Sequence, residues 1–513
     1  MPSVASPPSR RALPNAHAWA LTAILAGSLA LRLAAALPLA PFQDEALYWW
    51  GARSAEPSFC PHPPGAYLLV WAGTQVFGDS LLGLRVGTLA CGTAAVLLAY
   101  LMGRELHGPA AGLWAAAMFA FCPAMAGAGA VASPDSLIIF LWLLCAWAVW
   151  RGISRPSAGW WGLAGLALAA GLYTKYMMVL ALPGAFLALC ASAQGRRALR
   201  TPWPWAAAAG GLALFLPVFI ASEWTHGWPA VRYHLLSRHQ WSPSWQRVAY
   251  YAATAAAAYS PLLWVGTLAT LAAAARVAWR GEARAGWLAG FGLVPIAFFL
   301  LPRIVTKHSM IQVQWDAFAY AVGLVALGGT VAGAAHGRAG GRWRRGLGAA
   351  ALAVAGLSAA AVLVGLLVPK APLALGLRPP GLQRVGWREL AARLTTAGRA
   401  SETIITDTFA TAMTLGFHLG RREGIYTLDA PRNERYGLVE QLKAWRMDEA
   451  CMLAERGGQD ALYVHEHDCF SRCKCAIEPM RVRQLFSEVQ LIDSVALSHG
   501  GQMAKCFHIY RVR

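Results

Sequence analysis

Residues 135–151 read DSLIIFLWLLCAWAVWR: one carboxylate, fifteen uncharged and mostly apolar residues, one guanidinium. As a helix this run crosses most of a bilayer's hydrocarbon core and leaves its two charges at the two surfaces. Similar runs recur near 17–37, 81–103, 110–130, 159–173, 176–193, 205–222, 250–275, 286–301, 315–335 and 347–368, which with 135–150 makes eleven expected spans. The 159–193 pair is short and reads equally as tilted or re-entrant. The chain of 513 residues is 57% apolar and only 13% charged, with mean hydropathy +0.43. That charged share is about half that of soluble domains, which excludes intrinsic disorder and an ordinary soluble enzyme.

The net charge is +19, a balance often found in nucleic-acid binders. Its distribution points elsewhere. Residues 1–368 hold 24 Lys/Arg and 9 Asp/Glu, whereas residues 369–513 hold 20 and 16. The first part is a basic, apolar membrane block whose partner is the lipid bilayer, and no nucleic acid is expected. Fifteen of its 24 basic residues fall in one set of loops, from Arg10 and Arg11 through Arg196, Arg197 and Arg200 to Arg344 and Arg345. Positive loops stay cytoplasmic, so the N-terminus is expected inside and the C-terminal part outside the cytoplasmic (inner) membrane. A cleavable signal peptide ending near Ala34-Ala35-Ala36 is the lesser reading, because the first span is long and contains Arg32. Seven of the nine carboxylates, Asp44, Glu45, Glu56, Asp79, Asp135, Glu223 and Asp316, fall on the outer side. Carboxylates at a membrane are costly and mark function or pairing.

The first outer loop contains PFQDEALYWWGAR over 41–53 and CPHPPGAY over 60–67. Asp44 and Glu45 suit the start of a short helix, and Tyr48, Trp49 and Trp50 would seat that helix in the headgroup layer. Two readings of the carboxylate pair are open. It is either a helix cap beside an aromatic anchor, or a base that takes a proton from an attacking hydroxyl or amine, with a divalent cation as a further use. Pro63 and Pro64 stiffen the turn after His62, which either aims that imidazole at a phosphate or leaves it incidental.

Gln43-Asp44-Glu45, Tyr48-Trp49-Trp50 and His62-Pro63-Pro64 together resemble the first-loop signature of the GT-C membrane glycosyltransferases. The nearest group in pattern is the family-39-like enzymes, related to protein O-mannosyltransferases and to the aminoarabinose and galacturonic acid transferases of lipid A. Ser133-Pro134-Asp135-Ser136 resembles the second acidic loop of the family, and Thr174-Lys175-Tyr176 its "Leu-Thr-Lys-Tyr" loop. Glu223-Trp224 through His226, Gly227 and Trp228, with Arg232 and Arg238 beyond, resembles the middle outer loop. Gln314-Trp315 resembles a later "Asn-Trp" loop. The resemblance covers roughly residues 30–320. Lys307-His308-Ser309 departs from the pattern, and the first loop is compact.

The resemblance implies an enzyme that moves a sugar from a polyprenyl-phosphate carrier to a lipid, glycan or protein acceptor outside the cytoplasmic membrane. It also implies roles. Asp44 is the general base or the group that orients the acceptor nucleophile, and Glu45 supports it or binds sugar hydroxyls. Lys175 holds the donor phosphate, joined by His62, Arg53, Arg238 and Lys307. Asp135, Glu223, Tyr48 and Trp49 serve the acceptor or the sugar. No cofactor is required beyond an optional divalent cation. The expected fold is a polytopic all-α membrane protein of about eleven helices with a small C-terminal extracytoplasmic α/β domain. Its layout is a cytoplasmic tail (1–16), a GT-C-like transmembrane catalytic domain (17–368, first outer loop 38–80), and the outer domain (369–513). Rival readings are a transporter or flippase of a lipid-linked sugar, and a scaffold displaying the tail.

In the tail, residues 369–380 are a Pro-rich linker. An amphipathic helix is expected over Trp387–Thr396, strands near 402–407, 425–428, 461–464, 489–495 and 507–512, and a helix ending near Leu419. Cys451, Cys469, Cys473, Cys475 and Cys506 suggest one or two disulfides. The run His465-Glu466-His467-Asp468-Cys469 is a weaker zinc candidate, since its spacing fits no standard site.

Overall fold

The computed structural model describes residues 14–54, 60–237, 241–306, 313–333, 341–368, 370–375, 377, 381–468, 480–499 and 502–513. Among the described residues, seven helices are long and apolar enough to cross a membrane: Ala16–Ala36, Leu81–His107, Pro134–Ser154, Trp203–Thr225, Pro261–Ala278, Ala283–Val305 and Arg342–Leu367. Shorter apolar helices, including Pro109–Phe121, Ala158–Leu172 and Ala317–Gly333, pack among them. The chain is an integral membrane protein. Two expected spans are interrupted by proline, which supplies no amide N–H and so favours a helix start over a helix interior. The 110–130 run breaks at Cys122 before Pro123, and the 250–275 run breaks at Ser260 (φ 71°) before Pro261.

The site is built on the first segments of the chain: α1 (Pro14–Ala36), α2 (Gln43–Ala52), α3 (Gly65–Phe77) and α4 (Leu81–His107). The 38–80 stretch is therefore mostly helix, with α3 lying against α4.

The C-terminal part carries a five-stranded sheet in the order β2-β1-β3-β5-β4, with β1 Ile404–Thr406, β2 Ile425–Thr427, β3 Ala461–Asp468, β4 Val489–His499 and β5 Gln502–Val512. The first three strands are parallel, and β5 runs antiparallel to both β3 and β4. Helices Trp387–Thr396 and Phe409–Leu419 pack together, the second also against β1, β2 and β3.

The Tyr48-Trp49-Trp50 run departs from the expected membrane anchor. All three side chains are buried, at 3%, 1% and 2% exposure. They share a core with Trp387, Phe409, Met413 and Phe507 of the C-terminal part. The aromatic face of α2 is the seam between the membrane block and the sheet, not a surface in the headgroups. Gly416 makes this seam possible, because a Cβ there would lie 2.6 Å from the Trp50 ring.

In the tail, Cys451 carries no bridge, and Cys469, Cys473 and Cys475 lie outside the described residues. His465 faces Asp407 at 3.1 Å and Glu466 pairs with Lys505 at 2.7 Å. Among the described residues, no group of three metal-ligating side chains is placed to hold an ion, so the zinc candidate receives no support from them.

Candidate active site

Glu45 fixes the loop. Its side chain is fully buried and all its lone pairs point at donors. Arg85 of α4 grips it with two bonds, Nε to Oε1 at 2.6 Å and a terminal nitrogen to Oε2 at 2.7 Å. The Ala132 N–H donates to Oε1 at 2.9 Å and the Phe42 N–H to Oε2 at 2.8 Å. Arg384, from the tail, adds a contact at 3.3 Å. Burial alone would raise this carboxyl's pKa, but the Arg85 charge and bonds, helped by Arg384, hold it below its ordinary value. Glu45 therefore ties α2 to α4 and to the tail. Its bonds suit the supporting role expected of it, with both oxygens already met by donors of the protein.

Successive helix residues are about 100° apart, so pinning Glu45 turns Asp44 the other way. Asp44 lines a cavity of about 720 Å³ together with Tyr48, His62, Ser133, Asp135 and Lys175. Its Oδ1 is buried and meets no hydrogen-bond partner among the described residues. Burial, reinforced by the negative charges of Asp135 and Glu45, pushes its pKa up to about 6, against opposing pulls from Gln43 and Arg432. A carboxylate held close to neutral pH with a spare lone pair has the properties of a general base.

Across the cavity the Lys175 ammonium meets the Asp135 carboxylate at 2.5 Å. Ser133 caps the following helix and its hydroxyl contacts the Asp135 Oδ2 at 3.2 Å. The His62-Pro63-Pro64 turn reaches Lys175 through backbone: the Gly65 N–H donates to the Tyr173 carbonyl at 2.7 Å. A Cβ at Gly65 would lie 2.8 Å from both Thr174 Oγ1 and the Tyr173 carbonyl. Gly65→Ala is expected to push the two loops apart, at a cost of about 1–3 kcal/mol. A lowered melting temperature together with reduced turnover would confirm this, and an unchanged protein would refute it.

The cavity also has walls that sequence reasoning missed. Glu434, Arg435 and Tyr436 come from the tail and Tyr233 from the middle loop, and Gln314 and Trp315, quoted above as a motif without a role, join them. Tyr436 accepts from Gln43 Nε2 at 3.0 Å, and the Tyr233 hydroxyl donates to the Arg435 carbonyl at 2.9 Å. The Gln314-Trp315 turn is held by a buried pair in which Arg303 clasps Asp316 with two bonds of 3.0 Å.

Three expected contacts lie elsewhere. Glu223 is buried and accepts from the backbone N–H groups of Ala230 and Val231 at 3.3 and 3.0 Å, anchoring the turn that leads to Tyr233. Trp49 faces away, donating to Asp79 at 3.0 Å. Arg53 pairs with the same Asp79 and stacks on Trp49 at 4.5 Å. Neither Trp49 nor Arg53 lines this cavity. Arg238 and Lys307 lie outside the described residues.

A divalent cation fits poorly. Of the three carboxylates on the cavity, Asp44, Asp135 and Glu434, Asp135 is already engaged by Lys175, and among the described residues no group of three metal-ligating side chains is placed to hold an ion.

Residues 61–220 match the family model described as dolichyl-phosphate-mannose-protein mannosyltransferase. The chain is 30% identical over 254 residues to an undecaprenyl phosphate-alpha-4-amino-4-deoxy-L-arabinose arabinosyl transferase of Pseudomonas aeruginosa, covering 47% of this chain and 45% of that one. It is 25% identical over 160 residues to the lipid A galacturonosyltransferase RgtD of Rhizobium johnstonii, covering 31% of this chain and 34% of that one. In sequence, then, the chain spans about half the length of the first relative and less of the second. Its fold matches the crystal structure of ArnT from Cupriavidus metallidurans in the apo state with a TM-score of 0.62, at 14% identity, over 96% of this chain and 98% of that one. Family match and sequence relatives agree in supporting the GT-C glycosyltransferase superfamily, and the fold neighbour shares the chain's architecture.

Proposed function

We propose that the protein is a glycosyltransferase that moves a sugar from a polyprenyl-phosphate carrier to an acceptor at the outer face of the cytoplasmic membrane. One observation carries this reading: Asp44 and Lys175, far apart in sequence, line a single cavity between the membrane block and the C-terminal part. The names of the sequence relatives, an undecaprenyl-phosphate-sugar transferase and a lipid A transferase, favour a lipid-linked donor and a lipid acceptor.

In this reading the acceptor heteroatom attacks the anomeric carbon as the bond from that carbon to the phosphate oxygen breaks. The electrons of the broken bond leave with the carrier as polyprenyl phosphate. The acceptor's proton goes to Asp44. Lys175 meets the growing charge on the phosphate by exchanging Asp135 for it, a fixed cation placed where charge develops. Arg435 stands on the same cavity as a second cation, and Tyr48 and His62 are sugar or phosphate contacts. The C-terminal α/β part closes the cavity from outside.

The test is transfer from a synthetic polyprenyl-phosphate sugar by the purified, reconstituted protein. Lys175→Ala is expected to lower kcat/KM about 100-fold or more, with Lys175→Arg recovering part of it. Full activity in Lys175→Ala would reject the assignment of Lys175. Movement of the lipid-linked sugar across the bilayer without any transfer would replace the enzyme with a flippase.

A further inference from the structure

A second cavity lies on the other side of α2. It has about 730 Å³ and is walled by Trp49, Trp50 and Arg53 together with tail residues around 420–426, 445–447 and 455–456. Its charge is lopsided: Arg53, Arg421, Arg422, Arg446 and Arg456 line it against Glu423 and Glu455.

The fold uses only part of this positive charge. Arg446 pairs with Glu455 at 2.6 Å, and Arg53 with Asp79. Arg421 donates to two backbone carbonyls, those of Glu423 and Glu402, at 2.6 and 2.5 Å. Arg422 reaches the Ser54 hydroxyl at 3.3 Å and stands 5.5 Å over the Trp50 ring. Arg456 reaches the Gln459 amide oxygen at 3.4 Å and lies beside the Tyr426 hydroxyl. Among the described residues, Arg421, Arg422 and Arg456 make no ion pair.

Buried donors give an independent sign. The Nε atoms of these three arginines, and the indole N–H groups of Trp50 and Trp445, are buried without a hydrogen-bond partner among the described residues. Buried donors are nearly always satisfied, and leaving one unmet costs free energy. All five belong to residues that line this one cavity, so a ligand rich in acceptors matches its lining. Burial, then the charge of Arg422, lowers the Arg53 pKa to about 10, so two cations repel each other across this space and an anion would relieve them. A phosphate group supplies several acceptor oxygens, and guanidinium forks match its geometry.

We propose that this cavity binds a phosphate group, at a site separate from the one at Asp44 and on the opposite face of the same helix. The phosphate comes either from the headgroup of an anionic membrane lipid or from free phosphate. The proposal goes beyond the transferase reading and is tested without turnover.

The experiment uses the full-length protein in detergent. Retention of phosphatidylglycerol against phosphatidylcholine is read by native mass spectrometry, and inorganic phosphate is titrated by calorimetry. Wild type is expected to bind at least one phosphate probe in preference to phosphatidylcholine, and Arg422→Gln to weaken that binding about tenfold. Arg456→Gln, at another wall of the cavity, does the same if Arg422→Gln disturbs folding. Preference for phosphatidylglycerol with no response to inorganic phosphate supports a lipid source, and response to inorganic phosphate alone supports a free one. Wild-type binding by both variants, or no preference for either probe in the wild type, overturns the proposal. Asp44→Asn is the control: it is expected to keep this binding whether or not the protein proves to be a transferase.

Discussion

Asp44→Asn is expected to lower kcat by about 100- to 10,000-fold, the range that a lost general base produces, while the purified protein melts no lower than wild type. The two halves of that expectation have one cause. The Asp44 carboxyl sits in a buried position that disfavours its charge, with its pKa raised to about 6. A raised carboxylate pKa means that the folded state holds a proton the unfolded chain has already released. Between the unfolded value and about 6, stability therefore falls as pH rises. Above about 6 the folded protein carries the full penalty of the buried charge. Asn removes that penalty along with the base. Wild-type activity is expected to rise as pH passes about 6, and the variant's residual activity to lose that inflection. Transfer measured from pH 4.5 to 8, beside thermal unfolding of both proteins, checks both. A variant with full kcat would show that Asp44 takes no proton.

The sequence exposed the site more readily than its architecture. Asp44, His62, Asp135 and Lys175 were findable because charge is scarce in an apolar chain, and each scarce charge on the acid-bearing side is informative. Lys175 and Asp135 meet at 2.5 Å, yet spacing alone could not pair them, since the contact depends on how the membrane helices pack. The aromatic run shows a different limit. Tyr48, Trp49 and Trp50 have the composition of an interfacial anchor, and composition does not distinguish lipid headgroups from a neighbouring domain. Only the packing of Phe409 and Met413 against them makes the run a seam. Glu434, Arg435 and Tyr436 were invisible for the same reason: they belong to no motif and reach the cavity because the tail folds back onto α2. Proline left clearer traces. The breaks at Pro123 and Pro261 are written in the chain, but apolar windows averaged over them. In the tail, β1 lies within the 402–407 run because the β-branched residues Thr403, Ile404, Ile405 and Thr406 favour a strand locally, whereas the strand order needed the three-dimensional structure.

Glu45→Gln, one residue beyond Asp44, is expected to have the opposite phenotype: a protein destabilised by about 3–5 kcal/mol, the usual cost of removing one member of a buried pair. The substitution leaves Arg85, which is fully buried, with its charge uncompensated, and it weakens the hold on Arg384. Among the described residues, Arg85 meets, besides Glu45, only carbonyl oxygens, those of Ala36, Leu39 and Ala40. The pH dependence separates the two carboxylates further. Glu45 has a lowered pKa in the folded state, so its contribution is present above the unfolded value and disappears as pH falls through the folded one. Wild type is expected to lose stability on acidification in that range, and Glu45→Gln to lose less, since it starts without the contribution. Replacing both Glu45 and Arg85 by apolar residues should cost less than Glu45→Gln alone, because no charge is then stranded, apart from the partly exposed Arg384. Thermal unfolding in one detergent, at pH 7 and stepwise below the ordinary glutamate value of 4.5, measures all of this. A Glu45→Gln protein as stable as wild type but without transfer activity would move Glu45 from the framework into the chemistry, and with it the division of labour between two adjacent carboxylates on which the site is built.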